Sequence, residues 1–543
     1  MSKLAHYLQE HVTGEVTTAE DVLNHFATDG SILTLKPSVV VYPHNEGDVR
    51  KTMRFTWQLA ERGRIIPITP RGSGTNTTGS ALGSGIVMVF PAHMNKIVEI
   101  DGKTGMVKVE PGINYGRVEQ TLNTHEQFLP PFPSSGEFST IGGAVADNLS
   151  GERTIKYGTT LDYVKALRVV LANGEVIETG RLNKRDLNKK LGLTTFEGEI
   201  YRAIDTLLEE NRKVVLASRL KVSSNSAGYN LFDVKNKEGF DLTPLFVGAQ
   251  GTLGIITEVT LDTIAYNPDT TLLVGMFSDI KQLQQAIIEF KSIDDLPSKM
   301  EMIDRGLLEI SDRINPNHLN GVIQPPYPEA VLIVEFDDHG ERQQKKAAKR
   351  GLRILEKYST GCKVTTDPSE KASLWKLRRA VSTAIIHSEN SMKALPILEG
   401  AVVPVHKYAE FVEGTKSIIK NNKLVAPLWG HAGDGDLYVR PYLDVSQVGN
   451  RQTIFRVMDE YYSLALSLKG STSSSGSDGR LKAPYLNRMY GNEVYDLFKK
   501  AKHILDPYNI LNPGVKIGVT IDHIKPLLRN EYKTHWHDHL PQG

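Results

Sequence analysis

A short apolar run, Ile65-Ile66-Pro67-Ile68-Thr69, gives way to Pro70-Arg71-Gly72-Ser73-Gly74-Thr75-Asn76-Thr77-Thr78-Gly79. This transition constrains the fold more than any other segment. A strand must end in a loop whose glycines permit positive φ and close approach of the backbone to a ligand. Successive N–H groups in such a loop make a concave anion site, and the hydroxyls of Ser73, Thr75, Thr77 and Thr78 add donors. The loop reads as a cradle for a pyrophosphate. It departs from both common nucleotide fingerprints. Thr77 stands where the dinucleotide pattern needs a third glycine, and no Gly-Lys-Ser/Thr ending follows. In isolation the competing reading is a plain Gly/Ser surface turn.

Further segments decide between the two. Pro130-Pro131-Phe132-Pro133-Ser134-Ser135 leads into Ser139-Thr140-Ile141-Gly142-Gly143-Ala144-Val145-Ala146-Asp147-Asn148-Leu149-Ser150-Gly151. Lys156-Tyr157-Gly158-Thr159-Thr160-Leu161-Asp162 follows, and later Gly248-Ala249-Gln250-Gly251-Thr252-Leu253-Gly254-Ile255-Ile256. In order and spacing these resemble the FAD domain of the vanillyl-alcohol oxidase and p-cresol methylhydroxylase (PCMH) superfamily. The C-terminal half resembles the matching FAD-linked oxidase cap. The likeness is greatest to the D-2-hydroxyacid dehydrogenases, the group of glycolate oxidase large subunits, D-lactate and D-2-hydroxyglutarate dehydrogenases, and it runs from about residue 28 to 518.

The resemblance implies an α+β chain: a PCMH-type FAD-binding domain over 36–266 and an FAD-linked oxidase C-terminal domain, an antiparallel sheet with helices, over 267–518. A helical arm, 1–35, precedes them and a tail, 519–543, follows. It implies FAD held by Pro70, Arg71, Gly72, Ser73, Gly74, Thr75, Asn76, Thr78 and Gly79 of the cradle, and by Pro133, Ser134, Ser139, Thr140, Gly142, Gly143, Asn148 and Gly151. Tyr157, Gly158, Gln250, Gly251, Ile255, Ile256, Asp436 and Asn512 complete that set. Some relatives tether the flavin through a histidine in the Arg-Gly loop; Thr75 stands there, so non-covalent FAD is expected.

Composition narrows the chemistry. The 543 residues suffice for two or three domains, and a formal net charge of +1 gives no basic field for nucleic acid. The single cysteine, Cys362, excludes a disulfide within the chain and a cysteine-ligated iron–sulfur relay. The polar Met1-Ser2-Lys3-Leu4-Ala5-His6-Tyr7 start and the lack of a long apolar run predict a cytoplasmic protein without a spanning helix, peripheral membrane contact left open.

Pattern predicts a strand at Ser38–Pro43, then a helix capped by Asn45, with Val49, Met53, Trp57 and Ala60 inward and Gly63 as its stop. Strands are expected at 85–90, 97–100 and 106–110, and a hairpin over 166–179 turning at Asn173-Gly174. Residues 182–193 read as a charged, solvated loop. In the second domain, strands at 271–277, 330–336 and 362–366 alternate with helices at 280–290 and 343–358. The tail ends Thr534-His535-Trp536-His537-Asp538-His539, whose histidines could bind metal but read better as a polar terminus.

The cap carries the expected chemistry. Trp375-Lys376-Leu377-Arg378 resembles the motif whose arginine grips the substrate carboxylate, a task suited to the guanidinium fork. Trp429-Gly430-His431-Ala432-Gly433-Asp434-Gly435-Asp436-Leu437-Tyr438 resembles the active-site hairpin, where relatives carry His-x-Gly-Asp-Gly-Asn-Leu-His and metal-dependent members bind a divalent ion. Here Tyr438 replaces the second histidine. In Ser473-Ser474-Ser475-Gly476-Ser477-Asp478-Gly479-Arg480, Ser475 and Gly476 replace the relatives' ligand glutamate and base histidine. No metal is therefore expected. The reading is a metal-free dehydrogenase with His431 as base near neutral pH, Tyr438 on the substrate hydroxyl, and Arg378 with Arg480 on the carboxylate. Its substrate would be a D-2-hydroxy acid of lactate, glycolate or 2-hydroxyglutarate type, and its acceptor a quinone or electron-transfer protein. A changed alcohol substrate, a non-catalytic FAD-binding subunit and a homodimer stay open.

Overall fold

The computed structural model describes residues 3–338, 340–389 and 391–531; the histidine-rich tail reading lies outside them. Val39–Tyr42 and Ile86–Val89, buried apolar runs, pair in parallel. Ile68–Arg71, the strand that feeds the cradle loop, pairs in parallel with Ile86–Val89. Continuous apolar runs suit strands covered on both faces. Glu46–Glu61 is the covering helix; the Asn45 side chain accepts from Asp48 N, and Gly63 ends the run at φ 76°. Val49, Met53 and Ala60 are buried as expected, whereas Trp57 is only half-buried. The N-terminal arm is not purely helical. Between helices Lys3–His11 and Glu20–His25, Glu15–Thr17 adds an antiparallel edge strand, Glu15 opposite Tyr42.

A second sheet of five antiparallel strands runs in the order Ile97–Asp101, Met106–Val109, Ile255–Asp262, Val164–Val170, Val176–Glu178. Its last pair is the expected hairpin, with Gly174 at φ 82°. Along Ile255–Asp262 burial alternates residue by residue, the signature of a strand with two unlike faces. Residues 182–193 contain a helix, Lys184–Leu191, rather than a loop: Asn183 accepts from Arg185 N and Asp186 N, and this cap stabilises a segment with no buried residue.

The cap is a seven-stranded antiparallel sheet in the order 361–365, 271–277, 330–336, 299–304, 428–431, 436–439, 398–402. Helices Ile280–Phe290 and Glu341–Tyr358 pack against one another on it. Leu486–Leu505 then returns to the first domain: Leu486, Val494, Leu497 and Phe498 enter the core beneath the five-stranded sheet. Ile510 and Leu511 join the core of the parallel sheet, and Leu511 bridges Ile68.

Candidate active site

The cradle loop opens on a cleft with an empty volume of about 870 Å³, lined by Pro70 to Asn76, Ser139, Thr140, Gly142, Gly143, Gln250, Gly251 and Ile256. Among the described residues, the backbone N–H groups of Ser73, Gly74, Thr75 and Asn76 have no acceptor within the chain. Backbone amides shielded from water seek partners, and four adjacent ones in a loop that lines the cleft fit an anionic bridge such as a pyrophosphate. Gly72 is required by proximity, since a Cβ there would stand 2.3 Å from Thr140 Oγ1. Gly251 is required twice over, by φ +68° and by Pro70 Cγ at 2.3 Å. Phe90, Pro111, Leu149 and Phe246 add apolar wall that suits a flat ring system. Among the described residues, no histidine, cysteine or tyrosine lines the cleft.

Arg71 belongs to the cleft wall, while several other nominated residues frame the cleft without lining it. The Arg71 side chain donates to the carbonyls of Phe26, Thr28 and Ala81 and anchors the loop. Thr78 donates to Asn76 Oδ1, and Gly79 packs on Leu33. Asn512 is a clasp: its side chain joins Thr69, the Ser80 carbonyl and the Gln250 carbonyl. Tyr157 donates to Asp337 of the cap at 2.9 Å, beside a Lys156–Asp337 ion pair, so it ties the domains together. Asn148 fixes Leu161 N and Ser226, and Gly158, at φ 80°, lies against Asp162. Pro133 and Gly151 are buried turn residues, and Ser134 is exposed. Ile255 faces the core of the parallel sheet while its neighbour Ile256 faces the cleft.

Asp147 was not foreseen as a site residue. It lines the cleft and collects Asn76 Nδ2 at 2.7 Å, Gln250 Nε2 at 2.7 Å and Ser477 N at 2.9 Å. One carboxylate thus ties the cradle loop, the Gln250 loop and the cap. Burial raises its pKa against these three donors. Gln250 also accepts from Gly479 N at 2.8 Å, so an amide at this position serves as a two-way connector.

The cap loop 473–480 carries this connection to the hairpin. Ser475 exchanges bonds with the Ser150 backbone, and Ser474 donates to Asp436 at 3.2 Å. Asp436 in turn accepts from His431 N at 2.7 Å; it orders the hairpin and does not line the cleft. His431 Nδ1 lies 2.6 Å from Glu301 Oε1, and Arg378 Nε donates to Glu301 Oε2 at 2.8 Å. Glu301 is fully buried, and Glu152 of the first domain stands 3.6 Å from Arg378 Nε. The Tyr438 ring meets the His431 ring edge-on at 5.6 Å.

Electrostatics correct one expectation. Burial alone would depress the His431 pKa, but Glu301 and Asp436 outweigh it and raise it to about 10. The imidazole is therefore protonated at neutral pH, not poised near 7. Burial works against the charge on Glu301 too, yet His431 and Arg378 hold its pKa below the usual value. Burial and Asp436 push Asp434 to about 7, and burial sends the Tyr438 phenol well above 10, a neutral donor. Arg480 is corrected as well. Two of its nitrogens donate to the Leu82 and Gly514 carbonyls, so its fork is committed to backbone and is not offered to a substrate.

Lys482, 4 % exposed, also escaped the sequence reading. A Cβ on Gly400 would lie 3.5 Å from Lys482 Nζ, 3.8 Å from Tyr438 Cε1 and 3.3 Å from the Ser475 carbonyl, so the three share one small space. Burial depresses this lysine's pKa, with Asp478 and Glu399 opposing. Neither Tyr438 nor Ser475 is a strong metal donor, and Ser475 is already bonded on both sides. A divalent ion does not fit here.

Residues 37–180 match a family described as FAD binding domain, and residues 267–515 match FAD linked oxidases, C-terminal domain. D-2-hydroxyglutarate dehydrogenase of Escherichia coli (strain K12) is 28% identical over 93% of this chain and 50% of its own length. Glycolate oxidase subunit GlcD of Bacillus subtilis (strain 168) is 29% identical over 88% of each chain. D-lactate dehydrogenase of Anaerostipes hadrus is 28% identical over 83% of this chain and 84% of its own. The chain thus spans about half the length of the D-2-hydroxyglutarate dehydrogenases it matches. Among solved structures, 4-ethylphenol oxidase from Gulosibacter chungangensis superposes with a TM-score of 0.68 at 15% identity, covering 96% of this chain and 97% of that one. Alkyldihydroxyacetonephosphate synthase gives 0.62 at 15% identity, covering 94% and 84%. These distant neighbours share the fold. Among the described residues no helix is long and apolar enough to cross a membrane.

Proposed function

Because this chain belongs to the FAD-linked oxidases, we propose that it oxidises a D-2-hydroxy acid to the 2-oxo acid and passes the electrons to an external acceptor, a quinone or electron-transfer protein. The observation that carries this reading is the buried Arg378–Glu301–His431 chain, joined through Asp436, Ser474 and Asp147 to the cleft that fits FAD. Ser73 to Asn76 would hold the phosphates, and Phe90, Leu149, Phe246 and Ile256 the ring system. Bound FAD supplies the acceptor for the hydride leaving the carbinol carbon.

The protein's own groups bind, orient and take the proton. Glu301 occupies Arg378 Nε and leaves the terminal nitrogens of the fork for a substrate carboxylate. Glu301 also fixes His431 through Nδ1, so Nε2 is the atom that accepts the hydroxyl proton. Against the effect of burial, Glu301 raises the pKa of this imidazole to about 10, so its neutral form is the minority at pH 7 and grows as pH rises. Tyr438 donates to the substrate oxygen, with the buried Lys482 amine close beside it.

The test is anaerobic mixing of chelator-treated protein with D- and L-2-hydroxy acids while the flavin's visible band is followed. Bleaching by one D-acid without added metal supports the reading and names the substrate. Bleaching only by neutral alcohols moves the substrate class. If flavin stays bound and oxidised with every donor, the reading is overturned in favour of a flavin-binding subunit.

A further inference from the structure

Far from the hairpin, three side chains of the first domain converge at one end of the parallel sheet. Glu15 opens the N-terminal edge strand opposite Tyr42, and His44 lies two residues beyond Tyr42. His93 sits in the turn after Ile86–Val89, its N–H donating to the Phe90 carbonyl. Glu15 Oε2 is 2.7 Å from His93 Nε2 and 3.6 Å from His44 Nε2, and the three donor atoms all lie within 4.8 Å of one another. The imidazole rings stand 3.9 Å apart between centroids. Among the described residues this is the only group of three such donors so placed.

We propose that Glu15, His44 and His93 bind a divalent first-row ion, zinc in particular. Two imidazoles and one carboxylate are a sufficient zinc set when water takes the fourth position. Ligand atoms of a tetrahedral zinc site lie about 3.3 Å apart. The present separations of 2.7 and 3.6 Å from Glu15 Oε2 to the two imidazoles bracket that spacing. The backbone is held independently. Asp48, 1 % exposed, accepts from His44 N at 3.0 Å, from Thr13 N at 2.8 Å and from Gly14 N at 3.0 Å. That one carboxylate fixes the chain beside both Glu15 and His44, so most of the ordering that ion binding requires is already present. His44 and Glu15 are exposed and His93 is partly so, which leaves the site open to solvent for entry and for a bound water. An ion here would fasten the N-terminal arm to the sheet that carries the cradle loop.

The test uses the full chain with its flavin, stripped of metal and titrated with Zn²⁺ against a chromophoric chelator, then with Co²⁺ under the same conditions. The wild type should take one tight zinc per chain, and Co²⁺ should give the intense visible band of a tetrahedral site. The double variant His44→Gln, His93→Gln should lose both signals, while a variant with His535, His537 and His539 all replaced by alanine should keep them. Zinc should also slow hydrogen exchange at residues 13–17 in the wild type and leave it unchanged in the double variant. Equal zinc uptake by wild type and double variant, or loss of the signal in the tail variant alone, would overturn the proposal. Absence of any tight zinc in the wild type would do the same.

Discussion

Glu301 and His431 face each other in register on adjacent antiparallel strands, and the 2.6 Å bond between them fixes both the orientation and the charge of the imidazole. The glutamate also carries Arg378, so proton acceptor and carboxylate clamp hang on one buried side chain.

The pH dependence follows from that charge. A base must be neutral to act, so the rate of flavin reduction should climb with pH and level off near 10, the value at which His431 loses its proton. Glu301→Gln removes the main raising influence and should bring the midpoint down toward the ordinary 6.5. Stopped-flow reduction between pH 6 and about 10.5 measures both limbs. A rate that falls as His431 deprotonates would identify the imidazolium as the working form. Stability moves the other way. The His431 pKa is raised on folding, so its contribution is complete below 6.5 and is lost as pH rises through about 10.

Arg378→Lys keeps the charge beside Glu301 but loses the fork. KM for the hydroxy acid should rise about 10- to 100-fold with a smaller change in kcat. A neutral alcohol of the same size, where it reacts at all, should show no such rise. Parallel increases for both would remove Arg378 from the carboxylate.

Chelation separates the two metal questions. Tyr438 and Ser475 offer no ligand set, so chelator treatment should leave the rate of flavin reduction within about twofold. Recovery of a lost rate by added zinc or manganese would place an ion in the hairpin after all.

Asp147→Ala should weaken flavin retention before it affects the fold, because the cradle loop, the Gln250 loop and Ser477 all lose the same partner. Leaving those donors unmatched costs about 1–3 kcal/mol, a rise of roughly 5- to 150-fold in the dissociation constant if the cost falls mainly on the bound state. Flavin fluorescence on release reads it directly.

Lys516 and Asp478 form a 2.9 Å ion pair with neither side chain exposed. Lys516→Met strands the carboxylate and should cost about 3–5 kcal/mol. Lys516→Met with Asp478→Leu should be milder, and denaturant unfolding of the three proteins tests the order.

The cradle was legible because its demands are local: Gly72 and Gly251 stand where no side chain fits, and the strand before the loop is marked by its apolar run. Arg378 and His431 were legible through motif resemblance. Glu301 was not, although it stands as a carboxylate between two methionines, because the pairing that sets it opposite His431 spans 130 residues of chain. Asp147 hid inside a quoted motif, and its role exists only once Ser477 arrives from the cap. Arg480 and Tyr157 misled for the same reason: sequence gives the residue type, while the direction of a long side chain is set by distant carbonyls and carboxylates.

The return of Leu486–Leu505 and of Ile510 and Leu511 to the first domain has a consequence for biosynthesis. Two cores of the flavin-binding half stay incomplete until more than two hundred intervening residues have left the ribosome. A fragment ending near residue 266 would expose the apolar surface that Leu497, Phe498 and Leu511 normally cover. The two halves are successive in the gene yet interdependent in the folded protein.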